Sequence, residues 1–183
     1  RADDSGTTAN FTDYLSAAAP SVWTVGSIET WPTEFGGEGA PQTSGLVDAV
    51  TNGTGTIGYA DASRAGDLGT VAVKVGDEYV PYSPEAAAAI VDASPLAEGR
   101  GETDFAVNID RTSAESGVYP VVLLSYLIAC NEYVSSDGVD LVKGYLSYVI
   151  SPEGQSTAAE AAGSAPISSS FYEKAQAAVD AIK

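Results

Sequence analysis

The sequence predicts an α/β fold. Three observations carry that expectation. Strand-like and helix-like segments alternate along the 183 residues. Hydrophobic residues make up 44% of the chain, enough to fill a core. Ser-Pro, Asn-Gly and Gly-Asp pairs punctuate the alternation where elements must start or turn.

Taken in order, residues 6 to 19 read as a first helix, with Phe11, Tyr14, Leu15 and Ala18 at helical spacing and Pro20 as its stop. Residues 23 to 31 are irregular or strand-like, and 33 to 41 form a Gly-rich loop. Thr43 or Ser44 is placed to cap a short helix reaching Val50. Asn52-Gly53 marks a turn before a buried strand over 56–60, rich in β-branched and aromatic side chains. Segments 71–75 and 78–82 flank Gly76-Asp77, a hairpin signal. Ser83-Pro84-Glu85 starts a helix to Ala93, with Ser83 as cap and Pro84 as its first residue. A loop over 95–102 leads to a strand-like stretch at 105–109.

Residues 119–131 are nearly continuously apolar, the pattern of a long strand buried on both faces. Ser136 is the expected cap of a helix to Ile150, with Leu141, Tyr145, Leu146 and Val149 on one face. Ser151-Pro152-Glu153 opens another helix to Ala162, and Ser169 or Ser170 caps a last one over 171–182. Cys130, at the end of the apolar strand, reads as a buried structural thiol.

Charge and composition exclude several functions. The chain carries 25 acidic against 8 basic residues, a net charge of −17, so it lacks the basic footprint that nucleic acid requires. It has no His, which removes Ser-His and Cys-His pairs, and with a single Cys it has no Cys/His zinc site. The acids show no EF-hand spacing, and Gly36-Gly37-Glu38-Gly39 lacks the Gly-Lys-Ser/Thr ending of a nucleotide loop. No metal or cofactor is expected. The longest apolar run, 121–130, is too short to cross a bilayer.

The octapeptide Arg1-Ala2-Asp3-Asp4-Ser5-Gly6-Thr7-Thr8 concentrates the chemistry. Helix N-terminal N–H groups lack intrahelical partners and carry partial positive charge. Gly6 admits an anion close to the backbone, Ser5, Thr7 and Thr8 offer hydroxyls, and Arg1 offers a planar fork. Two readings fit: a tetrahedral oxyanion site, or an ordinary N-cap without a ligand. The acidic surface does not oppose the first, because charges beyond about 10 Å are largely screened at moderate salt while donors at contact distance are not.

Arg1-x-Asp3-x-Ser5-Gly6-Thr7, followed by Phe11-Thr12-x-Tyr14-Leu15, resembles the anion loop of the phosphate-binding proteins that feed ABC phosphate importers, the PstS type. Gly55-Thr56-Ile57-Gly58-Tyr59 resembles that family's buried strand, and Tyr119-Pro120 with its apolar run resembles the returning hinge strand. The resemblance implies a periplasmic-binding-protein-like fold of two lobes with a ligand in the cleft. Residues 1–118 would be most of the second lobe; 119–183 would supply the hinge strand and the C-terminal helices of the first. The start at Arg1 implies that the first-lobe N-terminal segment is missing, with the secretory signal and any lipid anchor, and that the apolar surface of 119–183 lacks partners.

The implied function is a receptor, not an enzyme, that captures inorganic phosphate and delivers it to an ABC permease at the cell envelope. Arg1, Ser5, Gly6 and Thr7 would hold the anion, with Asp3 aiming Arg1 and Asp4 turned away from it. The alternatives are sulfate or another tetrahedral oxyanion, a phosphatase-like hydrolase using Ser5, and a scaffolding domain without ligand.

Overall fold

A computed structural model describes all of residues 1–183. It is mixed helix and sheet: α1 (Gly6–Ala18), α2 (Gln42–Asn52), the strands β1 (Val73–Val75) and β2 (Glu78–Val80), then α3 (Pro84–Ala93), α4 (Val139–Ile150), α5 (Pro152–Ala162) and α6 (Ser169–Asp180). Single 3-10 turns lie at Thr33–Phe35 and Ala62–Arg64. β1 and β2 pair antiparallel, with Val73 opposite Val80 and Val75 opposite Glu78, across the expected Gly76-Asp77 turn. Gly76 has φ +56, and a Cβ there would lie 3.1 Å from the Ala114 carbonyl oxygen, so the turn needs glycine both for its angle and for its neighbour.

The chain divides into two compact units, Arg1–Tyr82 with Arg111–Leu123, and Ser83–Asp110 with Leu124–Lys183.

In the first unit α1 is tied to the chain after it by Thr12, which is fully buried. Its Oγ1 accepts the Ile28 N–H at 2.9 Å and lies 3.0 Å from the Ile28 carbonyl and 3.1 Å from that of Ala9 as donor. Trp23 is buried, its indole N–H on the Gly26 carbonyl, and it stacks on Phe35 and meets Trp31 at a tilt. Val75, Val80 and Val118 complete the apolar interior. Arg111 holds residues 120–122 to α1: it donates to the carbonyls of Pro120 and Val122, to Asn10 Oδ1 and to Asp13.

In the second unit α4 packs against both α5 and α6. Val139, Leu146, Val179 and Ile182 form its core, with Tyr133, Val142 and Ile150 against them. Lys143 Nζ donates to the carbonyls of Asp180 and Ile182, satisfying groups left open at the end of α6. Ile90 of α3 is fully buried. Residues 83–110 are joined to the C-terminal helices by Ser168 Oγ donating to Asp92 and by an edge-to-face pair of Phe105 and Phe171.

Several local expectations need correction. Residues 56–60 and 119–131 form no strand. A strand requires a neighbour to complete its ladder, and no segment of the chain pairs with either. Much of the apolar run is exposed, including Leu123, Leu127 and Ile128, as is Cys130, which is not a buried thiol. The stretch 105–109 contributes one bridge, Val107 to Leu96. Leu141 and Tyr145, expected on the packed face of α4, are exposed, and Leu146 is the buried member.

Helix caps shift for geometric reasons. Pro41, not Thr43 or Ser44, precedes α2; Gly138 in the left-handed region, not Ser136, precedes α4; and Ser168, not Ser169 or Ser170, caps α6 through the Phe171 N–H. Ser5, Ser83 and Ser151 cap as expected.

Because Thr12 satisfies both backbone groups of Ile28, Thr12→Val should cost about 1–3 kcal/mol of stability. Thr12→Ser, which keeps the hydroxyl, should cost clearly less. Urea unfolding of both variants measures the difference.

Candidate functional site

The first turn of α1 follows from Ser5. Its backbone is extended, and its Oγ accepts the Thr7 N–H at 3.2 Å and, at 3.5 Å, the Thr8 N–H. Capping uses only the acceptor side of the hydroxyl, so the Ser5 O–H remains a donor. The capping and anion readings are therefore compatible. The Ser5 N–H donates to the Glu29 carbonyl, whereas the Gly6 N–H has no protein partner. Gly6 is exposed, and a Cβ built on it meets nothing within 4 Å, so the backbone here is open to approach.

Arg1 is held from two sides. Its Nε donates to Asp3 Oδ1 at 2.9 Å, one terminal nitrogen pairs with Asp3 Oδ2, and the other donates to Thr43 Oγ1 at 3.2 Å. The side chain is 12% exposed. A guanidinium has five N–H donors; three are engaged here, leaving one on each terminal nitrogen. Those two N–H groups remain as donors.

Asp3 is fixed as firmly as the arginine it aims. Its Oδ1 also accepts the Gln42 N–H, 2.9 Å away, at the N-terminus of α2. Gln42 has φ 57, the single non-glycine residue in the left-handed region, a strain worth roughly 1–3 kcal/mol. The pairing with Arg1, followed by the Gln42 N–H, holds the Asp3 carboxyl well below the usual carboxylate range, and the same pairing raises the Arg1 pKa. Asp4 is engaged elsewhere: Thr30 Oγ1 donates to its Oδ1 at 2.5 Å.

Sequence reasoning singled out Arg1, Asp3, Ser5, Gly6 and Thr7, and all lie at this loop and helix start. It did not find the supports drawn from other elements. Thr43 holds Arg1, and Gln42 holds Asp3. Tyr59 Oη accepts from the α-ammonium nitrogen of Arg1 at 3.1 Å and lies 2.8 Å from Oγ1 of the fully buried Thr8. No short-range pattern marks such contacts.

A held guanidinium with N–H groups to spare, an unpaired helix N-terminal N–H and hydroxyls beside it are donor types that a small oxyanion can use. Residues 1–153 match the PBP superfamily domain, and the chain belongs to that superfamily. Its full length is 30% identical to the phosphate-binding protein PstS 3 of Mycobacterium tuberculosis (strain ATCC 25618 / H37Rv), of which it covers 50%. Identity to PstS 3 of Mycobacterium leprae (strain TN) is also 30%, and to PstS 2 of M. tuberculosis 27%, with the same coverage. The chain thus spans about half the length of the curated relatives it matches. No helix is long and apolar enough to cross a membrane.

The lowered Asp3 pKa sets a pH dependence. Ionised Asp3 contributes fully above the unfolded carboxylate value of about 3.9, and the contribution is lost as pH falls through the lower folded value. An NMR titration of the Asp3 carboxyl carbon should give a midpoint below 3.9, and Arg1→Ala should return it toward that value.

Proposed function

We propose that this chain supplies the anion-holding loop of a solute-binding receptor that captures inorganic phosphate and hands it to the permease of an ABC importer. The observation that carries the reading is the Arg1 fork, aimed by Asp3 and Thr43 and retaining one N–H on each terminal nitrogen. Gly6 would add its N–H, and Ser5 and Thr7 their hydroxyls. The relatives' names supply the choice of phosphate. Capture in an open cleft, lobe closure and recognition of the closed form by the permease would complete the cycle, with the protein secreted and held at the cell envelope. Residues 1–118 would be most of the second lobe, and 119–183 the hinge strand and C-terminal helices of the first.

A receptor fits the local chemistry better than a hydrolase. A hydrolase needs an activated nucleophile. Ser5 Oγ serves as a cap, its nearest acids Asp3 and Asp4 are engaged with Arg1 and Thr30, and the chain has no His. Phosphate monoesters should not be turned over, and sustained phosphate release abolished by Ser5→Ala would favour the enzyme.

The site is tested by calorimetric titration of the full-length protein with phosphate and with sulfate. Phosphate should bind saturably, with sulfate weaker. Ser5→Ala should weaken binding about tenfold or more, the worth of a hydrogen bond to a charged ligand. Ser5→Asp separates the two roles of the residue: aspartate caps as well as serine, so stability should hold, while its charge should abolish phosphate binding. Gly6→Val should fill the open approach with little effect on folding. Unchanged phosphate affinity in all three variants would remove the loop from the site.

A further inference from the structure

We infer that Tyr59 is a positioning residue of the anion loop, its hydroxyl fixing Arg1 relative to the first turn of α1; the inference rests on the phosphate reading above. The loop between Arg1 and Ser5 is anchored outward. The Ala2 N–H donates to the Ala40 carbonyl, Asp4 is held by Thr30, and the Ser5 N–H donates to the Glu29 carbonyl. None of these bonds sets the spacing between Arg1 and the helix start. The Tyr59 hydroxyl does. It lies 3.1 Å from the Arg1 main-chain nitrogen and 2.8 Å from Thr8 Oγ1. The nitrogen can only donate, so Tyr59 Oη accepts there, and the hydroxyl pair with Thr8 can run in either direction.

The position of that oxygen is set by three other elements. The ring stacks on Phe11 of α1, centroids 4.6 Å apart at 18°, and on Trp31 at 5.9 Å and 30°. The preceding Gly58 lies tight on α2, where a Cβ would come within 2.8 Å of Leu46 Cδ2 and 3.0 Å of Val50 Cγ2. A tyrosine used for packing alone needs no oxygen at its tip. Here the packing places the oxygen between the residue that bears the fork and the turn that bears the free N–H. Both must address one small anion, so their spacing enters the affinity directly.

The test titrates the full-length protein with inorganic phosphate. Tyr59→Phe keeps both ring stacks and removes the oxygen; affinity should fall about two- to tenfold through the loosened spacing, on the order of one hydrogen bond, with tryptophan emission and circular dichroism unchanged. Thr8→Val should weaken binding by a similar factor, Thr8→Ser should restore it, and Tyr59→Phe/Thr8→Val should be weaker than either single by less than the product of the two factors. Wild-type affinity in both single variants, full additivity in the double, or Thr8→Ser as weak as Thr8→Val would overturn the inference while leaving the receptor reading standing. Should Tyr59→Phe fail to fold, the Thr8→Val and Thr8→Ser pair decides alone. A wild-type protein that binds no phosphate would remove the receptor reading and this inference with it.

Discussion

The carboxylate of Asp3 is the fixed point from which the first unit is built outward. Two oxygens serve three donors: two nitrogens of Arg1 and the backbone N–H of Gln42. Through them one side chain orients the guanidinium and supplies the start of α2 with the cap that Pro41 cannot give. The left-handed angle at Gln42 persists because that N–H is used. Loss of the carboxylate would therefore release a cation, a helix terminus and a strained peptide together.

Helix starts recur as the organising problem of the chain. Each helix opens with N–H groups that lack partners. At α1, α3, α5 and α6 a serine hydroxyl accepts one or two of them. At α1 the arrangement leaves the Gly6 N–H and the Ser5 O–H as donors, and an arginine stands beside them. The local solution that ends a structural difficulty at three helices is, at the fourth, the start of the proposed anion loop. Chain neighbours make the difference: Arg1 and Asp3 precede the cap there, and nothing comparable precedes the others.

What could be read from the sequence was what depends on neighbours in the chain. Ser83-Pro84 and Ser151-Pro152 fix their helices through a cap and a preset φ, and Gly76-Asp77 fixes the hairpin. Arg1 and Asp3, two residues apart, could be paired on paper. Features that depend on distant partners could not. Segments 56–60 and 119–131 have strand composition but no ladder, so β-branched and aromatic content alone misplaced them. Ser168 prevails over Ser169 and Ser170 as a cap while also donating to Asp92, 76 residues away. Thr43 and Tyr59 reach Arg1 across 42 and 58 residues, distances over which no periodicity speaks.

The aromatic cluster has a spectroscopic consequence. Both tryptophans of the protein, Trp23 and Trp31, lie in the first compact unit and touch one another. Four of the six helices lie in the second unit, which has no tryptophan. Indole fluorescence therefore observes one unit while far-ultraviolet ellipticity is weighted toward the other. The two signals superimpose during denaturation if the units melt together and separate if they do not, so the wild-type sequence already carries the labels for measuring cooperativity between its halves.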